Sequence, residues 1–141
     1  MKRNRLNVIT CALFAALLLS SCQSSDLPNS AKLNKTPKKL ETFYPASITE
    51  VDSIEIRSGS DGTAKRTADP KLMHDWIEKV RYLNIIPNPD QEDTSGVLFH
   101  VRMFRQEEVV FWMTPTNINQ QRIEPQDELA DLMTELYNRI E

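Results

Sequence analysis

The chain has 141 residues, with 17 Lys/Arg against 20 Asp/Glu, 40% hydrophobic residues, two histidines and two cysteines. A net charge of −3 lacks the basic excess with which nucleic-acid binders neutralise phosphates, and two cysteines are too few for a disulfide scaffold. The length suits one modest domain with a single core.

At the N-terminus Lys2, Arg3 and Arg5 precede a mostly apolar run over residues 6–19. A charged start followed by a short apolar stretch is the order of a secretory signal peptide. The run has 14 residues and is interrupted by Asn7 and Thr10, short of the ~20 apolar residues of a membrane-spanning helix. It ends on Leu19-Ser20-Ser21-Cys22, which resembles the lipobox of bacterial lipoproteins: an aliphatic residue, two small residues and a cysteine. The resemblance implies a lipoprotein signal peptide over residues 1–21, a diacylglyceryl group on Cys22 and an extracytoplasmic domain held to the membrane. Two acyl chains hold stably where one myristoyl-sized chain binds only marginally, at ~10⁴ M⁻¹. Cys11 leaves with the signal, so a lipidated Cys22 leaves no thiol for a disulfide or a nucleophile.

Residues 23–40, QSSDLPNSAKLNKTPKKL, are rich in Ser, Asn, Lys and Pro and show no periodic apolar face. With Cys22 they read as a lipidated, flexible tether over residues 22–40, followed by a single domain at 41–141. The 18 tether residues reach ~60 Å fully stretched or ~23 Å as a coil. Charge is sorted along the chain: Lys32, Lys35, Lys38 and Lys39 face only Asp26 in the tether, whereas residues 41–141 hold 10 Lys/Arg against 19 Asp/Glu. The lysines favour an anionic lipid surface by up to ~1 kcal/mol each when near it. The acidic domain is expected to stand clear of that surface and to avoid nucleic acid.

Within the domain, Ile54 and Ile56 at strand spacing followed by SGSDG predict a hairpin with a polar second strand. A phosphate-cradling loop would need a helix start and further glycines at SGSDG. Asp69-Pro70 supplies an N-cap acceptor and a proline at the first helical position, and Leu72, Met73, Trp76, Ile77, Val80 and Leu83 fall on one helical arc. IIPNPDQEDTSG reads as loop. VLFHVRMFRQEEVVFWMT predicts two strands about a turn near Gln106-Glu107. NINQQRI offers one further short strand, and from Pro125 onward Leu129, Leu132, Met133, Leu136, Tyr137 and Ile140 form a second helical stripe. The predicted fold is α+β, order β-β-α-β-β-(β)-α: an antiparallel sheet of four to five strands with two amphipathic helices on one face.

SIEIRSGSDG, LMHDWIEKVRYL and DQEDTSGVLFHVRMF together resemble a group of small Gram-positive lipoproteins whose function is not established. The resemblance implies fold and location and transfers no active site.

Catalytic signatures are sparse. No Gly-x-Ser-x-Gly elbow exists. His74 lies on the polar side of its helix near Glu78, as a solvated surface pair, and His100 lies in an apolar strand. Asn88, Asp90, Glu92 and Thr94 alternate like calcium ligands, with Asp93 beside them, but the EF-hand pattern fails where Asp93 replaces glycine and Phe99 replaces the bidentate glutamate. Two distant histidines give no zinc set, so no metal and no cofactor is expected, with Asp90, Glu92 and Asp93 the nearest to a candidate. Over residues 97–105, Val97, Phe99, Val101 and Met103 are predicted to face the helices. Leu98, His100, Arg102 and Phe104 form a mixed face, which Phe111 and Met113 join if Phe104 pairs with Val109. So much apolar surface beside a cation calls for a cover: the tether, the long loop or another chain. The expectation is a non-enzymatic lipoprotein that binds a protein or envelope component through this face. Its alternatives are a wall-associated enzyme using carboxylates and a small-ligand binder.

Overall fold

A computed structural model describes residues 35–141 apart from 91, 93–95 and 97. The expected signal peptide, the lipobox-like segment with Cys22 and the expected tether as far as residue 34 lie outside the described residues, as do Asp93, Thr94 and Val97. No helix among the described residues is long and apolar enough to cross a membrane.

The elements in chain order are β1 (Lys38–Lys39), a 3-10 turn (Leu40–Phe43), a second 3-10 turn (Ile48–Glu50), β2 (Ser53–Ser58), β3 (Ala64–Thr67), α1 (Pro70–Val80), β4 (Asn84–Ile85), β5 (Phe99–Arg105), β6 (Glu108–Thr114), β7 (Asn117–Ile118), β8 (Gln121–Arg122) and α2 (Asp127–Arg139). The fold is α+β with antiparallel sheets and two helices. Among the described residues there are eight strands in two sheets, a six-stranded one in the order β3-β2-β5-β6-β7-β8 and a two-stranded one of β1 and β4, where four to five strands were expected. The additional strands are two residues long, too short for alternation to show in a sequence.

The domain also begins earlier than residue 41. Lys38 and Lys39 pair with Ile85 and Asn84, and Leu40 is wholly buried in the core. The tether therefore ends before Lys38: a backbone ladder and one apolar side chain dock a segment whose composition is that of a linker.

Each helix follows from its sequence. The Asp69 carboxylate accepts from the Lys71 and Leu72 amides at 2.8 and 3.0 Å, satisfying donors that a helix start leaves open. Met73, Trp76, Ile77 and Val80 are the buried side of α1, and Leu129, Met133 and Leu136 that of α2. The Trp76 indole N–H donates to the Leu132 carbonyl at 2.8 Å, joining the two helices, and α2 lies on β2 and β5. Both helices thus close the core against one face of the larger sheet, lined by Ile54, Ile56, Val101, Met103, Phe111 and Met113. Burying a side chain of this size contributes about 1.5–3 kcal/mol.

Hairpin geometry decides which side chains reach the other face. Gln106 and Glu107 have φ of 51° and 66° between the paired Arg105 and Glu108, a two-residue turn whose twist matches the flanking strands. Just inside it Phe104 pairs with Val109 as expected, but Met103 pairs with Phe111, leaving Val110 as an extra residue in a β-bulge. A bulge shifts alternation by one position. Phe111 and Met113 therefore face inward, opposite Met103 and Val101, and the expectation that they join the mixed face is overturned. Trp112 takes their place there.

The sheet's edges are guarded differently. Beyond β8 the chain continues the ladder, with Pro87 bridged to Ile123 and the Asn88 amide donating to the Arg122 carbonyl at 2.9 Å. The opposite edge is β3, where Lys65 and Arg66 discourage strand addition.

Candidate functional site

The outer face of the larger sheet is assembled by register. Glu55 lies between Arg66 on β3 and Arg102 on β5, His100 lies opposite Arg57, and Arg102 lies opposite Trp112 on β6. Local sequence supplies the residue types, and the β5–β6 bulge brings the indole among them.

Two arginines order this face from within. Arg102 is ion-paired with Glu55, whose side chain is only 17% exposed. The Arg66 guanidinium lies 4.3 Å from the centroid of the Phe104 ring and donates to the Ser53 hydroxyl at 2.7 Å and to Glu107 at 2.9 Å. Phe104 is thereby buried to 7% exposure. The expected apolar anchor is not available to a partner, because a cation on the neighbouring strand already stacks on it.

What remains accessible lies toward the other end of β5. His100 packs edge-on against Trp112, ring centroids 5.4 Å apart, and both are half-buried. Leu98 is 52% exposed. Arg57 is exposed beside His100, its side chain donating to the Gly62 carbonyl at 3.5 Å. Among the described residues, His100 Nε2 and Asn117 Oδ1 are buried without a hydrogen-bond partner. Asn117 is the cross-strand neighbour of Thr114 on the same face. Such atoms cost about 1–3 kcal/mol each when left unsatisfied. Burial pushes the His100 imidazole pKa below its ordinary 6.5; the Arg102 and Arg57 charges lower it further, and Glu55 opposes them.

No known protein-family model, curated protein or solved structure matches this chain. Function must be read from the residues themselves.

The other sequence candidates lie apart from this face. His74 is exposed on α1, at the rim of a shallow groove of about 150 Å³ shared with Thr49, Val51, Pro70, Met73 and Ile77. Asp90 and Glu92 are exposed, and Asp93 lies outside the described residues. Among the described residues no three His, Cys, Asp or Glu side chains converge as a metal site requires. The carboxylates with displaced pKa values, Asp61, Asp75 and Glu135, are all lowered. The principal cause is the Thr63 amide for Asp61, Lys71 for Asp75 and Lys79 for Glu135. A general acid needs the opposite displacement.

Sequence reasoning brought His100 and Arg102 to this face and missed Glu55, Arg57, Arg66 and Trp112. The alternation of SIEIRS could have placed Glu55 and Arg57 opposite the core. Nothing in the sequence announced the bulge that places Trp112.

Proposed function

We propose that this chain is an extracytoplasmic lipoprotein, anchored through Cys22, whose domain is a non-enzymatic binding module for an acidic segment of a partner protein. The observation that carries the binding role is the outer-face pairing of Trp112 with His100, flanked by Arg57 and Arg102. This face carries Arg57, Arg66 and Arg102 against Glu55 and Glu107, a local cationic excess in a domain that is acidic as a whole. Aromatic and arginine side chains are the types that dominate protein interfaces. A carboxylate can take the exposed guanidinium of Arg57 while the indole supplies apolar area.

The anchor rests on the Leu19-Ser20-Ser21-Cys22 pattern and on the charged and apolar segments before it. Cys22→Ala should move the protein from the detergent phase to the aqueous phase. Arg57→Glu, at an exposed position, should leave the melting temperature within about a degree or two, since surface changes cost within ~0.5 kcal/mol, while abolishing partner crosslinking in cells. Undiminished crosslinking by Arg57→Glu contradicts the binding role, and a detergent-phase Cys22→Ala protein contradicts the anchor.

A further inference from the structure

The point where the tether joins the domain has its own chemistry. Lys38 and Lys39 pair with the β4 strand, and the Lys39 ammonium donates to the Tyr82 carbonyl at 2.8 Å. The Tyr82 ring is 51% exposed, and the Arg81 guanidinium stacks 4.9 Å from its centroid. Lys35 precedes Lys38 and Lys39 on the same exposed stretch. Arg81 is neutralised by Glu41 and Glu78, at 2.7 and 2.9 Å. Counting Arg81 with its two acids, Lys35, Lys38 and Lys39 leave this corner net positive, with Tyr82 beside Lys39, on a domain that otherwise carries an acidic excess.

We infer that this corner is a docking surface for an anionic lipid bilayer, resting β1 and Tyr82 on the headgroups, although the acidic excess of the domain as a whole is expected to hold it clear of such a surface. The inference rests on the lipoprotein reading for its geometry: only 12 residues separate Cys22 from Lys35, so an acylated Cys22 keeps the corner within ~40 Å of the membrane at full stretch. Charge complementarity selects the surface, because lysines near anionic lipid gain about 1 kcal/mol each, a factor of about five in binding. Salt screens interactions beyond ~8 Å under physiological conditions. The distant acids of the domain therefore weigh little once the corner is down. Tyrosine suits the site because its ring and hydroxyl match the apolar and wet sides of the interface.

The test separates this inference from acylation itself. Residues 22–141 with Cys22→Ser contain the whole folded unit, since the core runs from Leu40 to Ile140, and they carry no acyl chain. Sedimentation with vesicles should show binding to phosphatidylcholine mixed with phosphatidylglycerol, none to phosphatidylcholine alone, and release in high salt. Lys38→Gln should weaken binding about five-fold, and Tyr82→Ser should weaken it several-fold while leaving the salt dependence. Melting curves on both variants confirm that the exposed substitutions leave the fold intact. Equal binding to both vesicle types overturns the inference. So does a Tyr82→Ser variant that binds like the parent, which would assign the attraction to the tether lysines alone. Either result leaves Cys22 acylation standing, because phase partition of the natural protein measures that separately.

Discussion

On the inner face of the six-stranded sheet, Ile54, Ile56, Val101, Met103, Phe111 and Met113 belong to the hydrophobic core and are essentially inaccessible to water. On the outer face the same strands carry Glu55, Arg57, His100, Arg102 and Trp112, which meet one another as ion pair, edge-on ring contact and cross-strand neighbours. The inner face asks of each residue only apolar character and fitting volume. The outer face depends on particular pairs, and the register that both faces share decides which side chains reach it.

The largest expected effect breaks the core that the helices close over the inner face. Trp76→Ala removes a buried indole together with its bond to the Leu132 carbonyl and should cost about 3–5 kcal/mol in urea unfolding. Trp112→Ala, from the half-buried outer side, should cost about 1 kcal/mol.

Next comes the outer ion pair. Arg102→Glu sets a second carboxylate beside Glu55 and should cost about 2 kcal/mol, reduced from the fully buried case by the one-third exposure of Arg102. The double variant Glu55→Arg, Arg102→Glu should recover most of that loss. Failure to recover would mean that the pair contributes less than the packing of the Arg102 stem.

A smaller gain sharpens the rule for the inner side. Tyr44 packs edge-on against Phe111, ring centroids 5.2 Å apart, with its hydroxyl buried and without a partner among the described residues. Tyr44→Phe keeps the ring, removes the orphan oxygen and should stabilise the domain by about 1 kcal/mol.

The gentlest probe is pH. The His100 pKa is lower in the folded domain than its ordinary 6.5, so the unfolded chain binds more protons and stability rises with pH through that window. The contribution is fully present above the unfolded value and is lost as pH falls through the folded one. Melting temperature should therefore decline on acidification below about 6.5, and His100→Gln should remove that part of the slope. An unchanged slope would place the titration elsewhere.

Legibility in the sequence follows the same division. Both helices, the Asp69 cap, the β2–β3 hairpin and the Gln106-Glu107 turn were readable, because each has a local cause within one turn or one strand. The inward set Phe99, Val101 and Met103 followed from alternation. Phe111 and Met113 are expected on the mixed face and lie inward instead, because the bulge at Val110 has no marker such as glycine or proline in the sequence. Phe104 looked exposed because its cover, Arg66, lies 38 residues away in sequence. Lys38 and Lys39 looked like tether because two-residue strands are held by backbone bonds to distant partners.

The central claim is that the Trp112 and His100 patch receives a partner. A photo-crosslinking amino acid placed at Trp112 in the membrane-anchored protein tests it most directly, with the same probe at exposed Asp131 on α2 as the comparison. The account predicts a discrete crosslinked protein from position 112, lost when Arg57→Glu is added, and none from position 131. No product from position 112, or the same products from both positions, would contradict it.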